Sequence, residues 1–114
     1  MIIEISSDRK KILLSFQKKA DIKFNDIELL EHAFYHRSAG NEIFKSGVIY
    51  NNERLEFLGD SVLGMVTASY LFTTLEKTKE GELAKIKSVV VSEKSLAPIA
   101  LKFGIDKLLI LGRG

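Results

Sequence analysis

The chain has 114 residues, 46% hydrophobic and 28% charged, the balance of one folded globular domain rather than a disordered or fibrous segment. Zero cysteines exclude disulfides and thiolate metal sites, so any metal must be held through oxygen or imidazole. Seventeen Lys and Arg against fifteen Asp and Glu leave a net charge of +2, too small to argue nucleic-acid binding by itself, and no apolar run nears the roughly 20 residues of a membrane span.

The N-terminus, Met1-Ile2-Ile3-Glu4-Ile5, lacks the basic start and small-residue cleavage site of a secretory signal, which makes a cytoplasmic protein the expectation. With one proline, Pro98, and little strand-like alternation, the helical period dominates, and a single all-helical (all-α) domain over residues 1–114 is expected. The first helix is predicted from about Ser7 to Lys19, with Ile12, Leu13, Phe16 and Ala20 as its apolar stripe. A second begins at Asn25, read as the cap with Glu28 three residues on, and turns Leu29, Leu30, Ala33 and Phe34 inward. Residues 38–50 hold Gly40, Asn41 and Gly47 without a sustained period and read as a long connection of the kind that often frames a site. A long third helix is predicted from Asn51 to Glu76 and a fourth from Lys79 to Val91 after a Thr78 cap. A fifth, capped by Ser92, should stop near Phe103, where Gly104 can take the left-handed conformation that ends helices. Pro98 inside it works against a straight course.

The third helix carries the chemistry. In Asn51-Asn52-Glu53-Arg54-Leu55-Glu56-Phe57-Leu58-Gly59-Asp60-Ser61 the acidic residues fall at spacings of three and four. At about 100° per residue, Glu53, Glu56 and Asp60 project within a sector of roughly 60°. Leu55, Leu58, Val62, Met65 and Val66 lie on the opposite side, which is the expected core face. Like charges one turn apart repel by a few tenths of a kcal/mol, and Gly59 and Gly64 each cost up to about 1 kcal/mol in a helix interior. A hard divalent cation would offset the repulsion, and the glycines would admit a close neighbour. Spacing alone is equally that of a solvated acidic face beside a tight helix crossing.

The whole string is more specific. Glu53-Arg54-Leu55-Glu56-Phe57-Leu58-Gly59-Asp60-Ser61 resembles the signature of the ribonuclease III family almost letter for letter. Phe34-Tyr35-His36-Arg37-Ser38 is similar to the family's Thr-His-Arg-Ser element with Tyr35 in place of threonine. Glu80-Gly81-Glu82-Leu83, then Lys85, Lys87 and Val90-Val91-Ser92, resembles the start of its next helix, and 105–114 fits the segment that follows. The resemblance implies the family's all-helical endonuclease domain, working as a homodimer on double-stranded RNA. It implies Mg²⁺-dependent phosphodiester hydrolysis leaving 5′-phosphate and 3′-hydroxyl ends, in rRNA and mRNA processing, with Mn²⁺ as a substitute ion and no small-molecule cofactor or membrane partner. By the same resemblance Glu56 and Asp60 are metal ligands, Asp60 is the catalytic aspartate, and Glu53 supports catalysis by orienting water. Phe57 matches the aromatic that plugs a pocket of the partner subunit, and Glu80 an acidic residue near the substrate, although a favourable charge at a helix N-terminus explains it nearly as well. His36 reads as a structural hydrogen-bonder and His32 as a flank of the core.

The family completes its metal shell with an Asp-x-x-Glu pair on a later helix, and no such pair occurs here: Asp8, Asp21, Asp26 and Asp106 are followed three residues on by Lys11, Phe24, Leu29 and Leu109. The chain is therefore expected to be the N-terminal portion of the catalytic domain, stopping before that pair and before a double-stranded-RNA-binding domain. Alone, it should bind Mg²⁺ weakly and cleave slowly or not at all. A non-catalytic dimerising or RNA-positioning relative is the alternative, opposed by the intact Glu56 and Asp60. A carboxylate-bridged metal bundle using Glu28, Glu31, His32, Glu53 and Glu56 fails because no Glu-x-x-His occurs.

Overall fold

In the computed structural model, which describes residues 4–39 and 50–112, the first helix α1 (Ser7–Ala20) starts where the Ser6 hydroxyl accepts the Arg9 N–H. Asp21 ends it in the left-handed conformation, φ 55°. α2 (Ile27–Ala33) starts one residue later than expected: the cap is Asp26, whose carboxylate accepts the Glu28 N–H, and not Asn25. A helix of seven residues buries only a narrow stripe, so Leu30 and Phe34 turn inward while Leu29 and Ala33, expected inside, are exposed.

The core of this first half is small. Leu13, Leu30, Phe34 and Leu108 are buried together, with Ile5, Phe16, Phe24, Ile27, Ile105 and Leu109 packed around them. Phe16 and Phe34 meet edge to face at 5.4 Å. Ile12, placed in the apolar stripe by periodicity, is half exposed because Leu13 alone of that pair points at the core. Arg9 ties three elements: its Nε donates to both Glu31 oxygens at 2.9 and 3.1 Å, and Nη2 to the Leu108 carbonyl at 2.7 Å.

α3 (Glu53–Thr74) and α4 (Glu80–Val90) form an antiparallel pair across the short 75–79 turn. α4 begins after Lys79, and the expected Thr78 cap is not made; the helix has no side-chain cap. Ser92 does cap α5 (Glu93–Lys102), accepting the Ser95 N–H, and Pro98 lies inside it. Gly104 at φ 70° separates α5 from a single further turn, α6 (Ile105–Leu108), which periodicity had not distinguished. Beyond α6, residues 109–112 return to α2: His36 N–H donates to the Ile110 carbonyl, Ile110 N–H to the Phe34 carbonyl, and Gly112 N–H to the Ser38 hydroxyl. A Cβ on Gly112 would collide with the Ser38 carbonyl oxygen, so glycine is required for this approach.

Among the described residues the architecture is six helices with one isolated parallel bridge, Tyr35 to Ile110, as the all-α expectation had it. No described helix is long and apolar enough to cross a membrane. Most of the predicted 38–50 connection, residues 40–49, lies outside the described residues.

The largest departure concerns α3. Its expected core face is exposed at Leu58, Val62, Met65 and Val66, with Leu55 only partly covered; the residues it buries are Thr67 and Leu71. By helical angle, Thr67 and Leu71 continue the sector of Glu53 and Asp60. α4 has docked on the carboxylate side, further along the helix, and left the apolar side uncovered.

Candidate active site

The first turn of α3 is pinned to the end of α2. Asn51 Oδ1 accepts the Glu53 N–H, while the Asn52 side-chain amide donates to the Ala33 carbonyl at 2.8 Å and its backbone N–H to the Tyr35 carbonyl at 2.9 Å. The Asn51 carbonyl accepts from His32 Nε2–H at 2.6 Å, and the His32 ring stacks on Tyr50 with centroids 4.3 Å apart. Because a carbonyl only accepts, the proton of His32 is on Nε2. Tyr50, buried between His32 and Tyr35, has its pKa raised from 10.0 to about 12, first by desolvation and then by the charges of Glu31, Tyr35 and Glu28. These bonds set where the acidic stripe begins.

Glu53, Glu56 and Asp60 line one cleft of about 600 Å³ with His36, Arg37, Asn52, Phe57 and Ser61. All three carboxylates are exposed, and among the described residues none is in an ion pair; the salt bridge there is Arg9 to Glu31. His36 is oriented by Ser38, whose backbone N–H donates to Nδ1 at 3.1 Å and whose hydroxyl lies 2.7 Å from the same nitrogen. Because Nδ1 accepts the Ser38 N–H it carries no hydrogen, which places the ring hydrogen on Nε2, and the Ser38 hydroxyl beside it accepts the Gly112 N–H. The structural role expected for His36 has this physical content: an imidazole locked in one tautomer at the edge of the cleft.

The donor set suits a hard cation only in part. Mg²⁺ is commonly held by one or two carboxylates and several waters, which Glu56 and Asp60, one turn apart, can supply. No group of three or more His, Asp or Glu among the described residues is arranged to enclose an ion.

Phe57 projects beside the carboxylates and is 79% exposed. Glu80 is not among the residues that line this cleft: it lines a groove further along α3 and α4, with Leu71 and Phe72 and, at the groove's other end, Met65 and Lys87. Arg37, Asn52 and Ser61 belong to the cleft without having been assigned a role from sequence; the Phe34–Ser38 element and the residues flanking the acidic string were the available signal. Gly59 faces open space, whereas Gly64 is overlain by Lys87, so one of the two glycines admits a neighbour.

A sequence profile described as ribonuclease-III-like matches residues 26–114. Ribonuclease 3 of Treponema denticola is 57% identical over 106 residues, which are 93% of this chain and 42% of that protein. Ribonuclease 3 of Borreliella afzelii is 43% identical over 109 residues, 96% of this chain and 44% of that one. A solved structure of the nuclease domain of ribonuclease III from Campylobacter jejuni, described as flexible in a region involved in dimer formation, matches with a TM-score of 0.73 at 40% identity, over 85% of this chain and 63% of that one. The chain thus spans less than half the length of these curated relatives.

Proposed function

The chain belongs to the ribonuclease-III-like family, and from that premise we propose that its α3 carboxylates are one part of the Mg²⁺ centre of a double-stranded-RNA endoribonuclease, in the N-terminal portion of the catalytic domain. The observation that carries this reading is the single cleft shared by Glu53, Glu56, Asp60, His36 and Arg37.

Glu56 and Asp60 would hold the ion, with Asp60 also acting in catalysis, and Glu53, one turn before Glu56, would orient water beside them. The chemistry supplied by bound Mg²⁺, or Mn²⁺ in its place, is charge neutralisation on the phosphoryl oxygens and a lowered pKa for the attacking water. Arg37 and the Nε2–H of His36 offer donors at the cleft's edge to an anionic strand. The products are strands with 5′-phosphate and 3′-hydroxyl ends, in cytoplasmic rRNA and mRNA processing. Phe57 fits an anchor between two copies of the chain, consistent with the dimer formation named for the Campylobacter nuclease domain. Glu80 acts near the substrate only if a second copy or the RNA bridges the distance from Asp60.

With two ligands on one helix and no enclosing cluster, Mg²⁺ binding by the chain alone is expected to be weak and cleavage slow or absent. Calorimetric titration with Mg²⁺ is the test, alongside cleavage of long duplex RNA with and without the ion. Glu56→Gln and Asp60→Asn should each abolish the Mg²⁺ heat while leaving the melting temperature equal or higher, since repulsion along the stripe is relieved. Unchanged Mg²⁺ binding in both variants would favour the alternative, a non-catalytic dimerising or RNA-positioning relative.

A further inference from the structure

The carboxylate cleft does not end at Asp60. Asp60 and Ser61 also line a second cleft of about 410 Å³ between α3 and α4, closed by Gly64, Met65, Lys87 and Val91. The feature of interest there is the seat of one lysine. A Cβ built on Gly64 would lie 3.6 Å from Lys87 Nζ and 3.7 Å from its Cε, so the side chain of Lys87 crosses α3 over bare backbone. Gly64 falls four residues after Asp60, about 6 Å along the helix and about 40° around it, which places it within the arc bounded by Asp60 and Phe57. The ammonium is thereby held beside the acidic stripe, one turn beyond its last carboxylate.

Two facts separate this lysine from an ordinary surface charge. It is partly buried, whereas Lys85, two residues earlier on α4, is exposed. Its ammonium also makes no hydrogen bond or ion pair among the described residues, Asp60 included. A lysine present only to neutralise α3 would close onto the nearest carboxylate. One held alongside and left uncommitted is a donor for an anion that enters the cleft, and Asp60 connects that cleft to the site of reaction.

We propose that Lys87 is a substrate-contacting residue that binds a backbone phosphate of the RNA strand, one step removed from the phosphate placed at Glu56 and Asp60. This rests on the endonuclease reading above. A phosphate in this cleft beside the ammonium would be positioned by the Lys87 charge without competing for the oxygens that Glu56 and Asp60 present. The contact reads no base, so it adds affinity to any duplex equally.

The test is anisotropy of a fluorescein-labelled RNA duplex titrated with the full 114-residue chain over a KCl series, with Ca²⁺ in place of Mg²⁺ to hold cleavage back. Lys87→Gln and Lys87→Met, the second of which keeps the aliphatic stem, should weaken binding several-fold for every duplex sequence. Both should lower the slope of log affinity against log salt by about 1. Lys87→Arg should restore the slope, and melting temperatures should stay close to that of the parent chain. An unchanged slope in both neutral variants, with the parent chain binding RNA, overturns the assignment of Lys87 alone. An equal loss in Lys85→Gln also overturns it, since any lysine on α4 would then serve. No RNA binding by the parent chain even at the lowest KCl overturns this assignment, while the endonuclease reading is decided separately by the Mg²⁺ titration of the Glu56 and Asp60 variants.

Discussion

Arg9 and Glu31 show how few side chains hold the first half of the molecule together. Glu31 is nearly fully buried and accepts two bonds from one guanidinium, which also satisfies the last carbonyl of α6. Breaking a buried pair leaves the surviving charge without a partner. Glu31→Ala is therefore expected to cost about 3 kcal/mol in urea unfolding, and a loss under about 1 kcal/mol would show the pair to be expendable. Tyr50 makes the same half sensitive to alkali. Its raised pKa means that the folded state disfavours the phenolate, so its contribution is complete below pH 10 and fades as pH rises towards about 12. Unfolding midpoints at pH 8 and pH 11 should differ in the parent chain, and the difference should shrink in Tyr50→Phe.

At the level of elements, α3 combines a functional stripe with two glycines of unequal meaning. Gly64 is the floor under Lys87, whereas nothing lies within 4 Å of a Cβ on Gly59. Gly59→Ala should raise stability by up to about 1 kcal/mol through helix propensity alone; a decrease would reveal a close approach to this position that the single chain does not contain. The ends of the helices were readable where a side chain or a glycine acts locally, as at Ser92 and Gly104. They were misread at Asn25, where the adjacent Asp26 could equally cap and does, and at Thr78, where the helix begins one residue later, after Lys79, with no side-chain cap at all.

Taken whole, the molecule is elongated: a radius of gyration of 16.9 Å and extents of 51 × 31 × 29 Å exceed the roughly 13 Å radius of a compact chain this long. The small core of α1, α2 and α6 sits at one part, and the apolar side of α3 lies open, with Leu58, Met65, Val66 and Phe72 more than half exposed and Phe57, beside the carboxylates, exposed as well. An apolar surface of that kind favours association. Sedimentation velocity should show self-association that grows with concentration, and Phe57→Ala should shift it towards monomer; a parent chain that stays monomeric at all concentrations would remove Phe57 from the proposed interface.

The sequence by itself determined the helical class, the approximate spans and the angular position of Glu53, Glu56 and Asp60 on one helix, because each follows from local period and the fixed pitch of an α-helix. It determined the family as well, through a string too specific to be a generic acidic face. Only the tertiary structure decided which side of α3 is covered, that Lys87 lies over Gly64, that Glu80 stands apart from the carboxylates, and that residues 109–112 clamp the Ser38 that orients His36. The physical reason is the same in each case. Periodicity assigns residues to faces, but α3 has apolar residues on both, with Leu71 following the carboxylate sector, and the face that becomes buried is chosen by the turn that brings α4 back and by contacts between residues far apart in the chain.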